Sequence, residues 1–470
     1  MSTDSTFDKF NCWARNSVSL KLFTIGILIL ILLIPQGIIG SLINERENRS
    51  FEVKSDISSK WGERQVVGGP VLTLPFYKYL IDDKGVVKKE TSYAHFLPEN
   101  LNINGDLNTE TRSRGIYDTV VYKTILNLKG DFAYPDIASL GLNENDVLWD
   151  KAYLSFGVND MKGLNKEPTL NFDTETNLHL SSSQAGQSIF SSELVYSLPI
   201  NIKETQNNFY SFSLNLDLNG SEEIYFMPLG RETNVSLQSS WINPSFDGSF
   251  LPDERNITKD GFDAKWKVLA INRNYPQAWI NNAYNFDSNL LEPQESDFRY
   301  NDGPTTAILD SQVYEFGVKF LLPVDIYQKN VRSVKYAGMA IALTFLAFFF
   351  AEIFNKKRFH PIQYLLVGFA VSIFYLLLLS ISEHLEFGYA YLISTVSTVF
   401  LVTLYAKAVF QNNKESLVLG VILTLIYGFF YTLLQLQDYS LLIGSIGIFL
   451  ILALCMFMSR KIDWYGVKMK

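Results

Sequence analysis

The stretch LFTIGILILILLIPQGIIGSLI occupies residues 22–43 and contains no charged side chain. At about 1.5 Å of rise per helical residue, it is long enough to cross a hydrocarbon core of about 30 Å. Lys9, Arg15 and Lys21 precede it, as basic residues precede a cleaved secretory signal. The apolar run is longer than in a typical signal, and no small-residue cleavage site is evident before Asn44. We therefore predict an uncleaved membrane anchor, with residues 1–43 forming the N-terminus and the first membrane-spanning helix.

Apolar segments of spanning length return after residue 330, separated by short polar stretches. Each carries at most one charged residue, as expected of a segment that crosses lipid. We predict five further helices, at residues 336–354, 362–381, 387–405, 417–436 and 441–458. Residues 331–470 are thus expected to form a five-helix transmembrane bundle.

Lys and Arg alternate between the loops in a way that predicts the orientation. They precede the first helix and follow the second, fourth and sixth, whereas the loops at 382–386 and 437–440 contain none. Positive charge near a helix end resists translocation, so both termini are predicted to be cytoplasmic. The segment 44–330 is then exported, which in a bacterium means the periplasm.

The exported segment is acidic, with 26 Lys and Arg against 40 Asp and Glu. Nucleic acid is an unsuitable partner, because binding a polyanion requires clustered basic side chains. The cysteines, Cys12 and Cys455, both lie outside the segment, which excludes a zinc–thiolate site within it.

Apolar residues in this segment recur with a period of two, which is typical of strands buried on one face. Residues 210–218 alternate Tyr, Phe and Leu with Ser, Asn and Asp, and similar patterns occupy 172–180, 235–241 and 262–270. Asn219-Gly220 suits a tight turn, so a hairpin returning through residues 224–226 is predicted. We expect a large all-β, sandwich-like antiparallel domain, preceded by a helix over residues 45–61 that continues the anchor.

No catalytic motif was found in the exported segment: HExxH, GxSxG, the P-loop and the dinucleotide fingerprint are all missing. The four histidines are scattered. We therefore predict a non-enzymatic protein without catalytic residues, cofactor or metal.

Glu352 lies within an apolar helix, where a carboxylate is a candidate for proton or ion handling. The alternative is a local ion pair with Lys356, one helical turn later, and this is favoured.

Glu383 and His384 lie in a short loop at the membrane surface, where they could bind a metal, relay a proton or simply be solvated. A solvated turn is favoured. His360-Pro361 is typical of a helix start. Arg332 and Lys335 fall on the exported side, against the charge rule, so we expect one of them to pair with Glu383 or Glu386.

Four long strings identify a family resemblance: SSKWGERQVVGGPVLTLPF (58–76), NPSFDGSFLPDERNITKDGFDAKWKV (243–268), EFGVKFLLPVDIYQKNVRSVKYA (315–337) and HPIQYLLVGFAVSIFYLLLLSISEHLEFGYAYLIST (360–395). The chain resembles the CreD family of bacterial inner-membrane proteins over nearly its whole length. The resemblance implies a role in cell-envelope integrity and stress tolerance, but no agreed catalytic residues. The matched residues of unassigned role include Trp61, Arg332, Glu352, His360, Glu383 and His384.

The leading hypothesis is an inner-membrane protein whose exported domain contacts an envelope component, which could be peptidoglycan, lipid or an envelope protein. The alternative is a transporter or membrane-embedded enzyme that uses Glu352, Glu383 and His384 in the bundle. Besides that component, the lipid bilayer is the expected partner.

Overall fold

The computed structural model describes residues 18–81, 87–181, 188–198, 209–284, 286, 314–322, 326–355, 359–436 and 439–460. The chain forms two compact units. One comprises Met1–Phe51 with Val324–Lys470, and the other comprises Glu52–Pro323. Each has its own hydrophobic core.

The described helices are α1 (Val18–Trp61), α2 (Ile326–Lys335), α3 (Ala337–Asn355), α4 (Pro361–Ser382), α5 (Phe387–Phe410), α6 (Asn413–Gln435) and α7 (Ser440–Ser459). All except the ten-residue α2 are long and apolar enough to cross a membrane. The prediction of one N-terminal and five C-terminal spanning helices is confirmed. So is the helical continuation of the anchor, because α1 extends to Trp61.

A polar contact joins α1 to α4 within the apolar core of the helical unit. Gln36 Nε2 donates to Ser372 Oγ over 2.9 Å, and both side chains are buried. Interhelical hydrogen bonds of this kind hold helices together where lipid offers no hydrophobic drive for association. The contact makes α1 an integral member of the bundle.

The other unit contains two eight-stranded sheets. Sheet 1 consists of β1 (Gln65–Ile81), β2 (Val87–Phe96), β5 (Tyr153–Val158), β8 (Glu193–Ser197), β10 (Glu223–Phe226), β12 (Pro244–Gly248), β15 (Ala278–Ile280) and β16 (Phe316–Phe320). Its main path has the order β12-β16-β10-β1-β2-β15, with β5 and β8 branching from β1.

Sheet 2 has the order β13-β14-β11-β3-β4-β9-β6-β7. Its strands are β3 (Asn100–Arg114), β4 (Tyr117–Ala133), β6 (Leu170–Phe172), β7 (Glu175–Leu178), β9 (Phe209–Ser221), β11 (Glu232–Ser239), β13 (Glu254–Thr258) and β14 (Gly261–Leu269).

One apolar core is shared by the two sheets, so they pack as a sandwich. Leu72 and Phe226 contribute to it from sheet 1, and Leu126 and Leu216 from sheet 2. The period-two pattern arises because alternate residues of each strand point into this core. The β-rich prediction is confirmed. Most pairs are antiparallel, but β1 with β10 and β3 with β11 are parallel.

The predicted hairpin at Asn219-Gly220 is wrong. Both residues lie inside β9, opposite Lys123 and Tyr122 of β4. The chain bends at Glu222, whose φ is 62°, and β10 then joins sheet 1 instead of pairing with β9. A Cβ atom on Gly220 would lie 2.2 Å from Tyr122 Oη. Glycine is therefore present for a close approach between strands, and not for a turn.

Candidate functional site

Glu352 is completely buried near the end of α3. Its Oε1 accepts a hydrogen bond from the Phe359 backbone N–H over 3.0 Å, and its Oε2 accepts one from Tyr364 Oη over 2.9 Å. Lys21 of α1 forms an ion pair with Oε1. The predicted partner Lys356 lies outside the described residues. The carboxylate thus has three donors from three different parts of the chain.

Aromatic side chains lie around Tyr364 on the buried Glu352 side of the ion pair, whereas the Lys21 side chain is 19% exposed. The Tyr364 ring lies 5.5 Å from that of Phe345, 6.3 Å from Phe348 and 6.0 Å from Phe359, measured between centroids. A buried charge is stable only when it is paired and hydrogen-bonded. Lys21 supplies the opposite charge, so the arrangement ties α1 to α3 and α4.

His360 and Pro361 begin α4, as predicted. His360 Nδ1 accepts from the Ile362 N–H over 3.3 Å, while the Gln363 side chain accepts from the His360 N–H over 2.9 Å. The two bonds form a reciprocal cap at the helix start. His360 is exposed, so capping accounts for its position.

Glu383 lies at the C-terminal end of α4, and its basic ion-pair partner is neither of the two that were predicted. Arg46 Nε of α1 lies 4.0 Å from Glu383 Oε1, and Tyr327 Oη donates to the same oxygen over 3.5 Å. Among the described residues, neither Arg332 nor Lys335 forms an ion pair with Glu383 or Glu386. The prediction considered the basic residues that the sequence places at the membrane surface. That position does not show which helix packs closest to Glu383.

His384 is exposed, and no other side chain in the described part of the chain bonds to its ring. Across the same residues, no group of three or more His, Cys, Asp or Glu is placed to hold a metal ion. The structure therefore does not bring Glu352 and His384 together into one site.

Trp61, at the end of α1, packs against the β domain. The Arg112 guanidinium lies 3.6 Å and Lys123 Nζ 5.1 Å from its ring centroid. Its Nε1 donates to the Tyr122 carbonyl over 3.3 Å. Cation–π contacts and one hydrogen bond thus fix the helix end on β3 and β4.

A groove of about 700 Å³ lies between α3, α6 and α7. Its lining is apolar except for Asn355, Lys414, Glu415 and Cys455. Glu352 does not line it. Most of this surface is suited to lipid chains, and its two charged residues, Lys414 and Glu415, are neighbours in the first turn of α6.

The outer face of sheet 2 carries a feature that the sequence patterns did not identify. Asn215 of β9, Asn127 of β4 and Asn104 of β3 are opposite one another in the strand register, and we call these three residues the amide row. Asn104 and Asn215 are exposed, and Asn127 is half-buried. Within the described chain, none of the three side chains hydrogen-bonds to another protein group. The row continues through Ser236 of β11 to Lys265 of β14.

A shallow groove of about 460 Å³ lies beside the amide row, over β3, β11 and β14. Asn102, Asn104, Asn234 and Ser236 contribute polar groups to its lining. Asn234 Nδ2 donates to Asn102 Oδ1 over 3.2 Å. The groove is thus floored by amides and a hydroxyl.

Two lysine–glutamate ion pairs lie beside this groove, and Asp253, which also lines it, accepts a hydrogen bond from the Lys267 backbone N–H over 2.8 Å. Lys265 Nζ lies 2.8 Å from Glu254 Oε2, and Lys267 Nζ lies 2.9 Å from Glu232 Oε1. Hydrogen bonds from the lysines hold the pKa values of the Glu254 and Glu232 carboxyls below their usual range. Both acids therefore stay ionised at neutral pH and cancel the lysine charges.

The family model described as "Inner membrane protein CreD" matches residues 17–465. The chain belongs to the CreD family. The CreD inner membrane protein of Escherichia coli (strain K12) is 33% identical over 450 residues, which cover 93% of this chain and 92% of that protein. CreD membership and the six apolar helices support a multi-pass protein of the bacterial inner membrane.

The amide row of this CreD-family protein had a partial sequence signal. Asn100, Asn102 and Asn104 alternate with Leu101 and Ile103, which marks an outward face with an unusual composition. Asparagine is depleted in strands, so its repetition there was informative. The signal could not show that Asn127 and Asn215 lie beside Asn104, because strand register is a tertiary property.

Proposed function

We propose that this CreD-family protein supports cell-envelope integrity without catalysis, by holding its β domain in the periplasm against an envelope component. The distribution of basic residues supports the sidedness. Lys21 precedes the apolar part of α1, Lys407 ends α5 and Arg460 follows α7, whereas residues 383–386 contain no Lys or Arg. By the positive-inside rule, both termini are cytoplasmic and residues 44–330 are periplasmic.

The observation that carries the proposal is the outer face of sheet 2. Its amide row presents donors and acceptors that no described protein group uses. Proteins recognise partners through such exposed, convergent polar groups on a rigid scaffold. A sheet of eight strands provides that scaffold.

The competing function, transport or membrane catalysis through the bundle, has less support. Glu352 already accepts from Lys21, Phe359 and Tyr364, which leaves it suited to holding helices together. The groove beside α7 is mostly apolar, and within the described part of the chain no side chain bonds to the exposed ring of His384. These observations favour a bundle that anchors the β domain.

Two experiments test the proposal. Alkaline phosphatase inserted at the exposed turn residue Gly141 should be active, and a fluorescent protein at the C-terminus should fluoresce. An inactive phosphatase at Gly141, together with an active phosphatase at the C-terminus, would indicate the opposite orientation in the membrane.

The contact itself is tested by a photoreactive amino acid placed at Asn104 in living cells. It should crosslink to an envelope component, whereas the same amino acid at Asn145, exposed but outside the amide row, should not. Equal crosslinking from both positions, or none from Asn104, would contradict a contact at this face.

A further inference from the structure

We propose that α2 binds the phosphate of an anionic phospholipid in the outer leaflet of the membrane. Its ligands are Lys329, Arg332 and Lys335, which we call the basic arc. The inference goes beyond the proposed function and rests on it only for the leaflet, which follows from the orientation with residues 44–330 in the periplasm. The observation that carries it is a set of basic groups at the membrane surface that form no described ion pair.

Contacts with three other helices fix how α2 is turned in the bundle. Asn330 Nδ2 donates to Ser382 Oγ of α4 over 2.9 Å, and both residues are buried. Two apolar contacts flank this bond: Val334 next to Gly40 of α1, and the Tyr336 ring stacked 6.2 Å from that of Phe430 of α6. Lys335 lies on the remaining side and is exposed, and Arg332 borders that side and is half-buried.

The same contacts place α2 at the level of the lipid headgroups. Its partner Ser382 is the last residue of α4, which is long and apolar enough to cross the membrane. The spanning helix α3 begins at Ala337, directly after the end of α2. α2 therefore lies where the hydrocarbon core ends, and the side of it that faces away from the bundle meets lipid.

Members of the basic arc are neighbours along the helix. A spacing of three residues puts Arg332 between Lys329 and Lys335 on the helix surface. The half-buried Lys329 places its Nζ 5.4 Å from the ring centroid of Phe387 at the start of α5. Long basic side chains at such a level extend their charged ends to the headgroups.

Acids on the surrounding elements do not neutralise the arc. α2 itself contains no Asp or Glu. Glu383 is engaged by Arg46 and Tyr327, and the exposed Glu386 lies on the Lys329 side, next to Phe387.

α1 carries two further acids near this level, Glu45 and Glu47. α1 packs at Val334, and residues two positions apart face opposite sides of a helix, so α1 lies across from Arg332. Across the described residues, neither Arg332 nor Lys335 forms an ion pair with any acid.

A lipid phosphate matches these groups in charge, shape and location. The planar guanidinium of Arg332 can donate two parallel hydrogen bonds to phosphate oxygens, and a lysine on each side adds a point charge. Basic residues resist export, so three of them on the exported side require a compensating interaction. In a zwitterionic lipid each phosphate is accompanied by an ammonium group, which the arc would repel. The match is therefore to a lipid with net negative charge.

The test measures lipid preference with the full-length protein in detergent. Phosphatidylglycerol and phosphatidylethanolamine are titrated separately, and the rise in melting temperature gives an apparent Kd for each. The test variant is K329Q/R332Q/K335Q. The control K151Q/R255Q/K259Q removes the same charges at exposed positions of the β domain. A photoreactive phosphatidylglycerol, mapped by mass spectrometry, locates the bound lipid, and circular dichroism confirms that both variants are folded.

We expect the wild type and the control to prefer phosphatidylglycerol, and the test variant to lose at least about tenfold of that preference. Each basic residue near an anionic lipid surface contributes about fivefold in affinity. The photoreactive lipid should label α2 in the wild type and much less in the test variant.

Equal affinity of the wild type for the two lipids overturns the inference, as does an unchanged preference or unchanged labelling of α2 in the test variant. Failure of the proposed function would appear separately, as an inactive phosphatase insertion at Gly141 in a protein whose basic arc still prefers the anionic lipid.

Discussion

His95 makes the stability of the β domain depend on pH. The residue lies on β2, between Thr73 of β1 and Trp279 of β15. Its Nδ1 is 2.9 Å from Thr73 Oγ1, and its ring centroid is 5.3 Å from that of Trp279. Burial lowers the pKa of His95 from 6.5 to about 3. The ring is therefore neutral in the folded protein over the whole physiological range.

The sign and size of the effect follow from proton linkage. Because the folded pKa is depressed, the unfolded state binds the proton first, and stability is lost as pH falls below 6.5 towards 3. Between pH 7 and pH 5 the loss is about 2 kcal/mol, or about 25-fold in the opening equilibrium. Carboxyls with ordinary pKa values change little in this window. Glu193 contributes with the opposite sign, since burial raises its pKa.

Hydrogen–deuterium exchange on the full-length protein measures this pH-dependent loss of stability around His95. Protection factors of peptides covering β1 and β2 are compared at pH 7 and pH 5, each corrected for the intrinsic exchange rate. The variant H95Q keeps a hydrogen-bonding group near Thr73 but cannot titrate, so its protection should change much less with pH. H179Q removes an exposed histidine and should behave as the wild type does.

The comparison of wild type with H95Q also cancels the contribution of Glu193. An equal fall in protection for wild type and H95Q would refute the assignment to His95. So would wild-type protection factors that stay constant within about threefold, because the linkage requires roughly 25-fold.

Three further predictions concern the bundle and the sheet contact. K21M should lower the stability of the detergent-solubilised protein by about 3–5 kcal/mol in thermal melts, because it removes the opposite charge from the fully buried Glu352 carboxylate. E352Q should cost less, because the Lys21 side chain is 19% exposed. K21M/E352Q should lose less than the sum of the two, and strict additivity would contradict the ion pair. G220A should destabilise the β domain by about 1–3 kcal/mol or more in thermal melts, because its Cβ would meet the buried Tyr122 ring. The control G115A should cost only about 1 kcal/mol, because its Cβ would meet no atom within 4 Å and only the φ of +68° is unfavourable. Equal destabilisation by both substitutions would contradict the packing argument. H384A should restore envelope phenotypes in a deletion strain as fully as wild type does, since the His384 ring is exposed. Failure of H384A to restore them would support a functional site in the bundle.

The prediction of pairing partners failed at Glu383 and Asn219-Gly220, for related reasons. A basic residue close in sequence to the membrane surface is a reasonable partner for Glu383, but the position of Arg46 depends on how α1 packs against α4. An Asn-Gly pair tolerates turn geometry, yet a glycine is equally suited to a crowded strand. Local sequence does not distinguish these uses, because the crowding atom belongs to Tyr122, far away along the chain.

The sequence alone determined which segments enter lipid and which form strands, because hydrophobic content and its period are local properties that burial in any fold must satisfy. Tertiary structure alone decided that Lys21 neutralises Glu352, that His95 is enclosed by three strands, and that Asn104, Asn127 and Asn215 form one row. These outcomes depend on helix packing and strand register, which bring together residues separated by tens to hundreds of positions. A shift of one residue in register would turn each asparagine of its strand from the outer face into the core.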